Sequence, residues 1–557
     1  MTEFQPFRLD SENQCLWRGG ERITLTPKAF FLLKYLVDRA GRLVTHQELL
    51  ESLWPDSFVQ PDVLKTHVLD IRNALGDDAK TPKFIETQPR RGYRFIATVQ
   101  NGAAPEPRTA SIAVLPFANL GNDREKDYFG DGLAEDIINE LTKIPGLRVI
   151  ARTSAFAFKG RVQDIRRIAE VLGVANVLEG SFRNSGDHVR VTAQLIAASD
   201  GSHIWSGRYD KDLSDVLTIQ DEIAQAIATA LETQLRGPGE RRPASAEAYQ
   251  AYMEGRYYVQ HVTAPSIARA LECYQRAIHL DPGYALPHSG LALQAYYQML
   301  YLATRPRELA PAALSSLGRA LQLDSGSAQS HVVRGVFSAF YEFNWDEAEE
   351  HFTKALEMDP ASPMVRMGRA LWFLLPTQRL EQALDEVKRS VGWDPLSPAI
   401  RAAELWILYA MQQQEAVDQA RSLTKLFPGL PICRFAAAIT LLHFGLIEEA
   451  VTTLEEGLQV VPNDMFLLGV LAMARARQGR VEVAQQIRDG LEKRAEAGYL
   501  PFLSRAYAWE ACGEANSALA LLEQAIEERE PLAVIAVAAR RLDVWSGCSI
   551  LRKMNLK

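Results

Sequence analysis

At 557 residues the chain is too long for a single hydrophobic core, and its 47% apolar and 23% charged residues are the proportions of globular protein. A formal charge of −8 excludes a surface coated throughout for nucleic acid. No apolar run approaches the ~20 residues of a membrane helix, the longest, Pro431 to Leu446, being broken by Arg434 and His443.

The five cysteines, Cys15, Cys273, Cys433, Cys512 and Cys548, are scattered and never in a CxxC pair, which predicts free thiols and a cytoplasmic location. The opening Met-Thr-Glu-Phe-Gln lacks the basic-then-apolar pattern of a signal segment.

Residues 1–100 hold 14 basic and 13 acidic side chains, and between Lys65 and Arg94 the ratio rises to 7 against 4. Positive charge is therefore placed locally, as a DNA-docking surface requires. Strand-like alternation runs from Phe4 to about Leu25. Thr26 then caps a first helix with Pro27 at its opening position, and Ala29, Leu32, Leu33 and Leu36 make its buried stripe. Thr45 and Glu48 form a capping box for a second helix, which Trp54-Pro55 ends. In a third helix Leu64, Val68, Ile71 and Leu75 share one face, and Asp62, Lys65, Thr66, Leu69 and Asn73 share the other. Lysine can reach phosphate or guanine, asparagine can pair with adenine, and leucine can touch a thymine methyl. A hairpin follows: Phe84 to Thr87, a turn through Gln88–Gly92, then Tyr93 to Val99. Its Arg90, Arg91 and Arg94 suit phosphate or minor-groove contact.

Leu25-Thr-Pro-Lys, Gly41-Arg-Leu-Val-Thr, Leu53-Trp-Pro, His67-Val, Arg72, Ala74-Leu-Gly-Asp-Asp and Arg91-Gly-Tyr-Arg-Phe resemble the OmpR/PhoB-type winged-helix family. The resemblance covers nearly all of residues 1–100. It implies promoter binding, often as dimers on direct repeats, with residues 55–61 as the loop that can touch RNA polymerase. The candidate DNA-contacting set is Asp62, Lys65, Thr66, His67, Leu69, Arg72 and Asn73 on the helix, and Thr87, Arg90, Arg91 and Arg94 on the hairpin. Family members often carry arginine where Leu69 and Asp70 stand. The receiver domain that usually precedes such a module is not expected, since the module starts at residue 1.

Residues 101–109 and 236–245 are rich in Pro and Gly, lack apolar periodicity and read as linkers. Between them, residues 110–235 predict the order βαβαβββα, a mixed α/β domain. Ile112-Ala-Val-Leu-Pro-Phe, Phe129-Gly-Asp-Gly-Leu, Leu178-Glu-Gly-Ser and Trp205-Ser-Gly-Arg-Tyr-Asp are similar to the amino-terminal domain of TolB-like proteins. That resemblance brings no catalytic site with it. Gly130-Asp131-Gly132 lacks the third glycine of a dinucleotide fingerprint, and a helix entry capped by Asp131 is expected instead.

Residues 246–540 are periodic. Ala270, Ala313, Ala348, Ala383, Ala416 and Ala450 each precede Pro282, Ser325, Pro360, Pro395, Pro428 and Pro462 by 12 residues, and the later marks are spaced 43, 35, 35, 33 and 34. This resembles tetratricopeptide repeats, helix-turn-helix units that stack into a solenoid with a concave groove for a peptide or protein partner. Past residue 465 the phase reads as lost, with degenerate repeats at Val481–Lys493 and Ala515–Glu528. The extra residues before Ala313 predict a longer loop or helix.

The expected protein is multidomain: a winged helix-turn-helix (α+β), a mixed α/β domain and an all-α repeat solenoid. Its expected role is sequence-specific DNA-binding transcriptional regulation, as an activator, with promoter DNA and a repeat-bound protein as partners and a homodimer on DNA. The alternative is a repeat-based adaptor without significant DNA affinity. No HExxH, P-loop or GxSxG motif occurs, and neither catalytic residues, cofactor nor metal are expected.

Overall fold

The computed structural model of the chain describes every residue except 1, 5, 11–14, 19–20, 24, 38, 47, 50–61, 89–90, 98–99, 102–110, 122–126, 145–146, 161–163, 186–187, 213–215, 232–244, 260–262, 302–303, 540–552 and 555–557. All of the expected linkers except Asn101 and Ser245, most of the second helix and the 55–61 loop lie outside the described residues. The chain forms two compact units, residues 1–109 and 110–557.

In the first unit β1 (Thr2–Phe4), β2 (Phe7–Asp10), β3 (Cys15–Arg18) and β4 (Glu21–Ile23) form an antiparallel meander, which β8 (Gln100–Asn101) extends beside β1. The helix α1 (Pro27–Val37) starts as its sequence requires, with the Thr26 hydroxyl accepting the Ala29 N–H at 3.3 Å. The Thr45 hydroxyl likewise accepts the Glu48 N–H at 3.1 Å. Helix α2 (Asp62–Leu75) packs on α1 through Leu64, Val68, Ile71 and Leu75, all buried. A small sheet of β5 (Leu43–Thr45), β7 (Gly92–Phe95) and β6 (Ile85–Gln88) completes the winged helix, in the order β5-β7-β6. Gly92 must be glycine because a Cβ there would collide with the Val44 carbonyl.

The second unit opens with a mixed sheet. Its strands run β11 (Arg148–Val149), β9 (Ser111–Val114), β12 (Asn176–Ser185), β13 (His188–Ala197), β14 (His203–Asp212), with short β10 (Ala118–Asn119) beside β12. The pairings of β9 with β11 and β12 are parallel, and the three long strands form an antiparallel meander. Helices α3 (Asp127–Thr142), α4 (Arg152–Phe156), α5 (Ile165–Leu172) and α6 (Val216–Ala230) complete it. The expected order is met, with β10 and α4 added. Asp131 is not a helix cap. It lies one turn inside α3, buried, with its carboxylate 2.6 Å from the Lys159 ammonium.

The repeats follow as pairs. The first helix of each pair is α7 (Ala246–Val259), α9 (Ala285–Tyr301), α11 (Ala328–Phe337), α13 (Pro363–Arg369), α15 (Pro398–Ala410), α17 (Pro431–His443), α19 (Met465–Arg477) and α21 (Phe502–Ala511). The second is α8 (Ala264–Leu280), α10 (Pro306–Leu323), α12 (Trp345–Met358), α14 (Leu380–Trp393), α16 (Glu415–Leu426), α18 (Ile447–Val460), α20 (Val481–Ala497) and α22 (Ala515–Glu527). A last helix, α23, spans Pro531–Ala538. The 43-residue interval before Ser325 is taken up by helices, with α9 at 17 residues and α10 at 18.

All six marking alanines are buried. The expected loss of phase past residue 465 does not occur. Ala484 and Ala518 continue the 34-residue spacing from Ala450 and are also wholly buried. The prolines vanish there, Glu496 and Glu530 standing at their positions, because proline only ends a helix, whereas alanine permits two helices to touch.

The α/β part and the repeats pack together within one compact unit. Gly132 of α3 faces Met253 of α7 so closely that any Cβ would collide with it. The acidic side of α3 engages the repeats: Arg256 of α7 pairs with Glu135, and with Asp136 at 3.2 Å. Arg152 of α4 joins the cluster, 2.9 Å from Glu135. Farther along, Ser154 of α4 donates its N–H (2.9 Å) and its hydroxyl (2.5 Å) to Asp394, in the turn after α14. Burial pushes the Asp394 carboxyl up to about 6, against the opposing pull of the Ser154 donors. A carboxyl held above its ordinary 3.8 favours the folded chain in acid, and that contribution is lost as pH rises through about 6. Between pH 4 and pH 7, urea unfolding should therefore show wild type losing up to about 3 kcal/mol relative to Asp394→Asn. A pH-independent difference between the two would remove Asp394 as the titrating group.

Candidate nucleic-acid interface

The sequence-derived residues gather on two elements, α2 and the β6–β7 hairpin. On α2, Lys65, Thr66, Leu69 and Asn73 are exposed on the side opposite the Leu64–Val68–Ile71–Leu75 stripe. Leu69 is 58% exposed, more than any other large apolar side chain among the described residues. An aliphatic side chain left in water between polar neighbours is a ready contact for an apolar base edge. His67 is half-buried and lies 3.8 Å from the Asp70 carboxylate, one turn along the helix. Of Asp62 only the backbone, at the start of α2, is described, and Arg90 lies outside the described residues.

Arg72 corrects the sequence expectation. It is buried to 9% exposure and turns inward, not toward a groove. Its Nη2 donates to the Ile85 carbonyl oxygen at 2.7 Å and to the Thr87 hydroxyl at 2.9 Å. Arg72 therefore straps the hairpin to α2, and Thr87, exposed in the sequence-derived set, is the far end of that strap. The periodicity contains the signal: Arg72 lies four residues after Val68 and three before Leu75, on the margin of the buried stripe.

Two further groups fix the hairpin. Gly76, at φ +64°, ends α2, and the Asp77 carboxylate accepts the N–H groups of Lys83 (2.6 Å), Phe84 (3.3 Å) and Ile85 (2.9 Å). Tyr93 of β7 is buried. Burial raises its phenol above the ordinary value, and the nearby charges of Arg72 and Lys65 partly oppose that rise. Tyr93 thus lies within electrostatic reach of the exposed end of α2 as well as of the strap, a role that sequence reasoning missed. Its signal was the alternation Tyr93–Phe95 of a half-buried strand.

The arginines of the hairpin are unequal. Arg91 is exposed at the turn, where its N–H donates to the Gln88 carbonyl at 3.0 Å and its own carbonyl accepts the His46 N–H at 3.1 Å. Arg94 is only half-exposed and lies 3.4 Å from Glu86, its cross-strand partner. Among the described residues no cluster of three or more His, Cys, Asp or Glu is arranged to hold a metal ion, and no helix is long and apolar enough to cross a membrane.

Residues 20–95 match the family described as "Transcriptional regulatory protein, C terminal", and residues 108–226 match "HilA/YgeH-like transcriptional regulator, second domain". The chain is 39% identical over 232 residues to "Putative adenylate cyclase 3" of Rhizobium meliloti, a match covering 40% of this chain and 39% of that protein's length. It is 23% identical over 420 residues to "Transcriptional regulator HilA" of Salmonella typhi, covering 73% of each. Among solved structures, the RstA DNA-binding domain of Klebsiella pneumoniae, in complex with the RstA box, is 27% identical. That match covers 17% of this chain and 94% of that one, with a TM-score of 0.16.

Replacing Arg72 with alanine should leave the Ile85 carbonyl and the Thr87 hydroxyl without their donor and cost the first unit about 2 kcal/mol. Hydrogen exchange should then quicken across residues 85–95. Exchange there equal to wild type would show that the strap does not hold the hairpin.

Proposed function

We propose that this chain, a DNA-binding transcriptional regulator with an OmpR/PhoB-type winged helix, reads promoter DNA with Lys65, Thr66, Leu69 and Asn73 of α2 and grips the backbone with the Arg91 end of its hairpin. The observation that carries the reading is the strap from Arg72 to Ile85 and Thr87. It sets an exposed helix face and an arginine-tipped turn as one rigid surface, the two parts that winged-helix docking needs. Activation is the favoured sign of regulation, with residues 55–61 as the contact for RNA polymerase and a homodimer on paired half-sites. The repeat-bearing unit supplies regulatory input from a protein partner. The three-part division at 101–109 and 236–245 belongs to the same proposal, as does a cytoplasmic location.

The reading gives the chain no catalytic step. The Rhizobium relative's name raises cyclase chemistry, and incubation of the full chain with ATP and magnesium should yield no cyclic nucleotide above a buffer control.

DNA affinity itself is tested by salt. With ~4–6 phosphate contacts, log K should fall against log[salt] with a slope of roughly −4 to −5. Arg91→Ala should weaken binding to all duplexes and flatten that slope by about 1, whereas Arg94→Ala, already facing Glu86, should change it less. Leu69→Ala should alter the preferred sequence instead. Binding no tighter than that of an unrelated acidic protein at low ionic strength would leave the adaptor reading in its place.

A further inference from the structure

Each first helix of a pair is buried on more than one side. In α15, residues 403–410 are buried without a break, whereas in its predecessor α14 only Ala383, Val387 and Ser390 are. On α9 and at the turn that follows α11, part of the first-helix surface is covered by α23, Pro-Leu-Ala-Val-Ile-Ala-Val-Ala, an uncharged helix with every residue buried. It touches α22, which precedes it, and also α9 and the π-helical turn Ser338–Glu342, which lie at least 189 residues earlier in sequence.

Polar contacts close the same circuit at both ends of α23. Before it, Arg307 donates twice to the Glu527 carbonyl, at 3.0 and 2.7 Å. The Arg529 guanidinium lies 3.9 Å above the Phe343 ring. At its far end, the Gln378 amide donates to the Ala538 carbonyl at 2.9 Å. The hinge is anchored separately: Glu530, buried, accepts the N–H groups of Phe502 (2.7 Å) and Leu503 (3.0 Å) and the Tyr499 hydroxyl (2.8 Å).

Backbone strain marks the same contacts. The turn inside each repeat needs a left-handed residue, and in the later repeats it is glycine: Gly445, Gly479 and Gly513, at φ +75° to +80°. At the equivalent positions 343, 378 and 412 stand phenylalanine, glutamine and glutamine, at φ +54°, +61° and +56°. A side chain in that conformation costs roughly 1–2 kcal/mol. Phe343 and Gln378 are the ones that meet Arg529 and Ala538.

We propose that the inner groove of the repeats is a binding site for a short, uncharged aliphatic helix, filled in this state by the chain's own α23, and that a partner protein presenting such a helix binds there by displacing it. The inference deepens the proposed regulatory input through the repeats and does not rest on DNA binding. The partner's chemistry follows from its stand-in: Leu532, Val534, Ile535 and Val537 fill the groove with no charge between them, and recognition is by shape and burial. Displacement is feasible because the closing polar bonds are few, each worth about 1 kcal/mol net, and the incoming helix replaces the apolar burial that α23 gives up.

The test uses the full chain and a doubly substituted chain, Gln378→Gly with Arg529→Ala. Glycine at 378 relieves the turn, so any loosening of α23 comes from the lost contacts and not from a weakened repeat. Hydrogen exchange of residues 531–538 should quicken at least tenfold, with 503–511 and 521–526 unchanged. A fluorescein-labelled peptide of residues 529–539 should bind the double variant at least tenfold more tightly than wild type by fluorescence anisotropy, and the same peptide with Ile535→Asp should not bind. Exchange that rises together across 503–538 would make α23 an inseparable part of the core and overturn the proposal. Unchanged exchange at 531–538, or loosened exchange without peptide binding, would overturn it equally. Wild-type DNA affinity in the double variant separates this outcome from failure of the regulator reading.

Discussion

The larger unit depends on a steric constraint: about once in every 34 residues, two helices must come close enough that only a methyl group fits between them. Eight buried alanines, from Ala270 to Ala518, meet that demand. Larger side chains four residues on, Tyr274, Phe352 and Leu454 among them, fill the space that the close approach creates and are themselves wholly or almost wholly buried. No single pair buries its apolar surface, so stability comes from the interfaces between neighbours, and a misfit at one crossing is felt by the repeats on either side. Close approach also ties in the α/β part, where Gly132 lets α3 meet Met253.

That constraint explains what was legible in the sequence. Alanine spacing is a packing rule, and packing holds through the last repeats even where the helix-stopping proline is replaced by Glu496 and Glu530. Proline marks only where a helix stops, so its spacing ends at Pro462 while the alanine spacing runs on to Ala518. The winged helix was legible for a similar reason: the Thr26 and Thr45 hydroxyls accept the expected backbone N–H groups, although the Glu48 carboxylate faces Tyr35 and Arg42, and the apolar stripe of α2 is buried residue for residue. Long-range polar contacts were not legible. Nothing near Asp394 in sequence foretells that Ser154, 240 residues away, donates to it, and nothing near Gln378 foretells Ala538. Such pairs depend on how far the solenoid turns, which is a sum of small rotations over many repeats and has no local signature.

Arg72 shows the same limit at the scale of one side chain. A charged residue on a recognition helix reads as a groove contact, because charge is usually solvated. Here the guanidinium Nη2 donates to Ile85 and Thr87, which repays part of its burial, while the buried Nε has no hydrogen-bond partner among the described residues. The consequence is functional as well as structural. A hairpin joined to α2 only through its strand edges could tilt, and the Arg91 turn would lose a fixed distance from Leu69 and Asn73. Phosphate contacts set register, and base contacts read sequence only within that register. In the proposed readout the buried arginine would act without touching DNA.

The distribution of charge bears on how such a surface works within an acidic chain. Residues 1–100 carry a net +1 and the remainder −9, so no broad positive field draws DNA in. At 0.1 M salt the screening length is about 10 Å, however, and charges farther than that from a phosphate count little. What matters is the excess between Lys65 and Arg94, where seven basic residues face four acidic ones. Within that set Arg72 is engaged by the fold and Arg94 lies against Glu86. Asp77 is turned to the backbone at the start of β6. The charges left to act outward are therefore fewer than the sequence count suggests. Under the proposed reading, an interface with so few cations would owe more of its discrimination to the apolar and polar contacts of α2, among them the exposed Leu69, which stands where arginine is common in the resembling family.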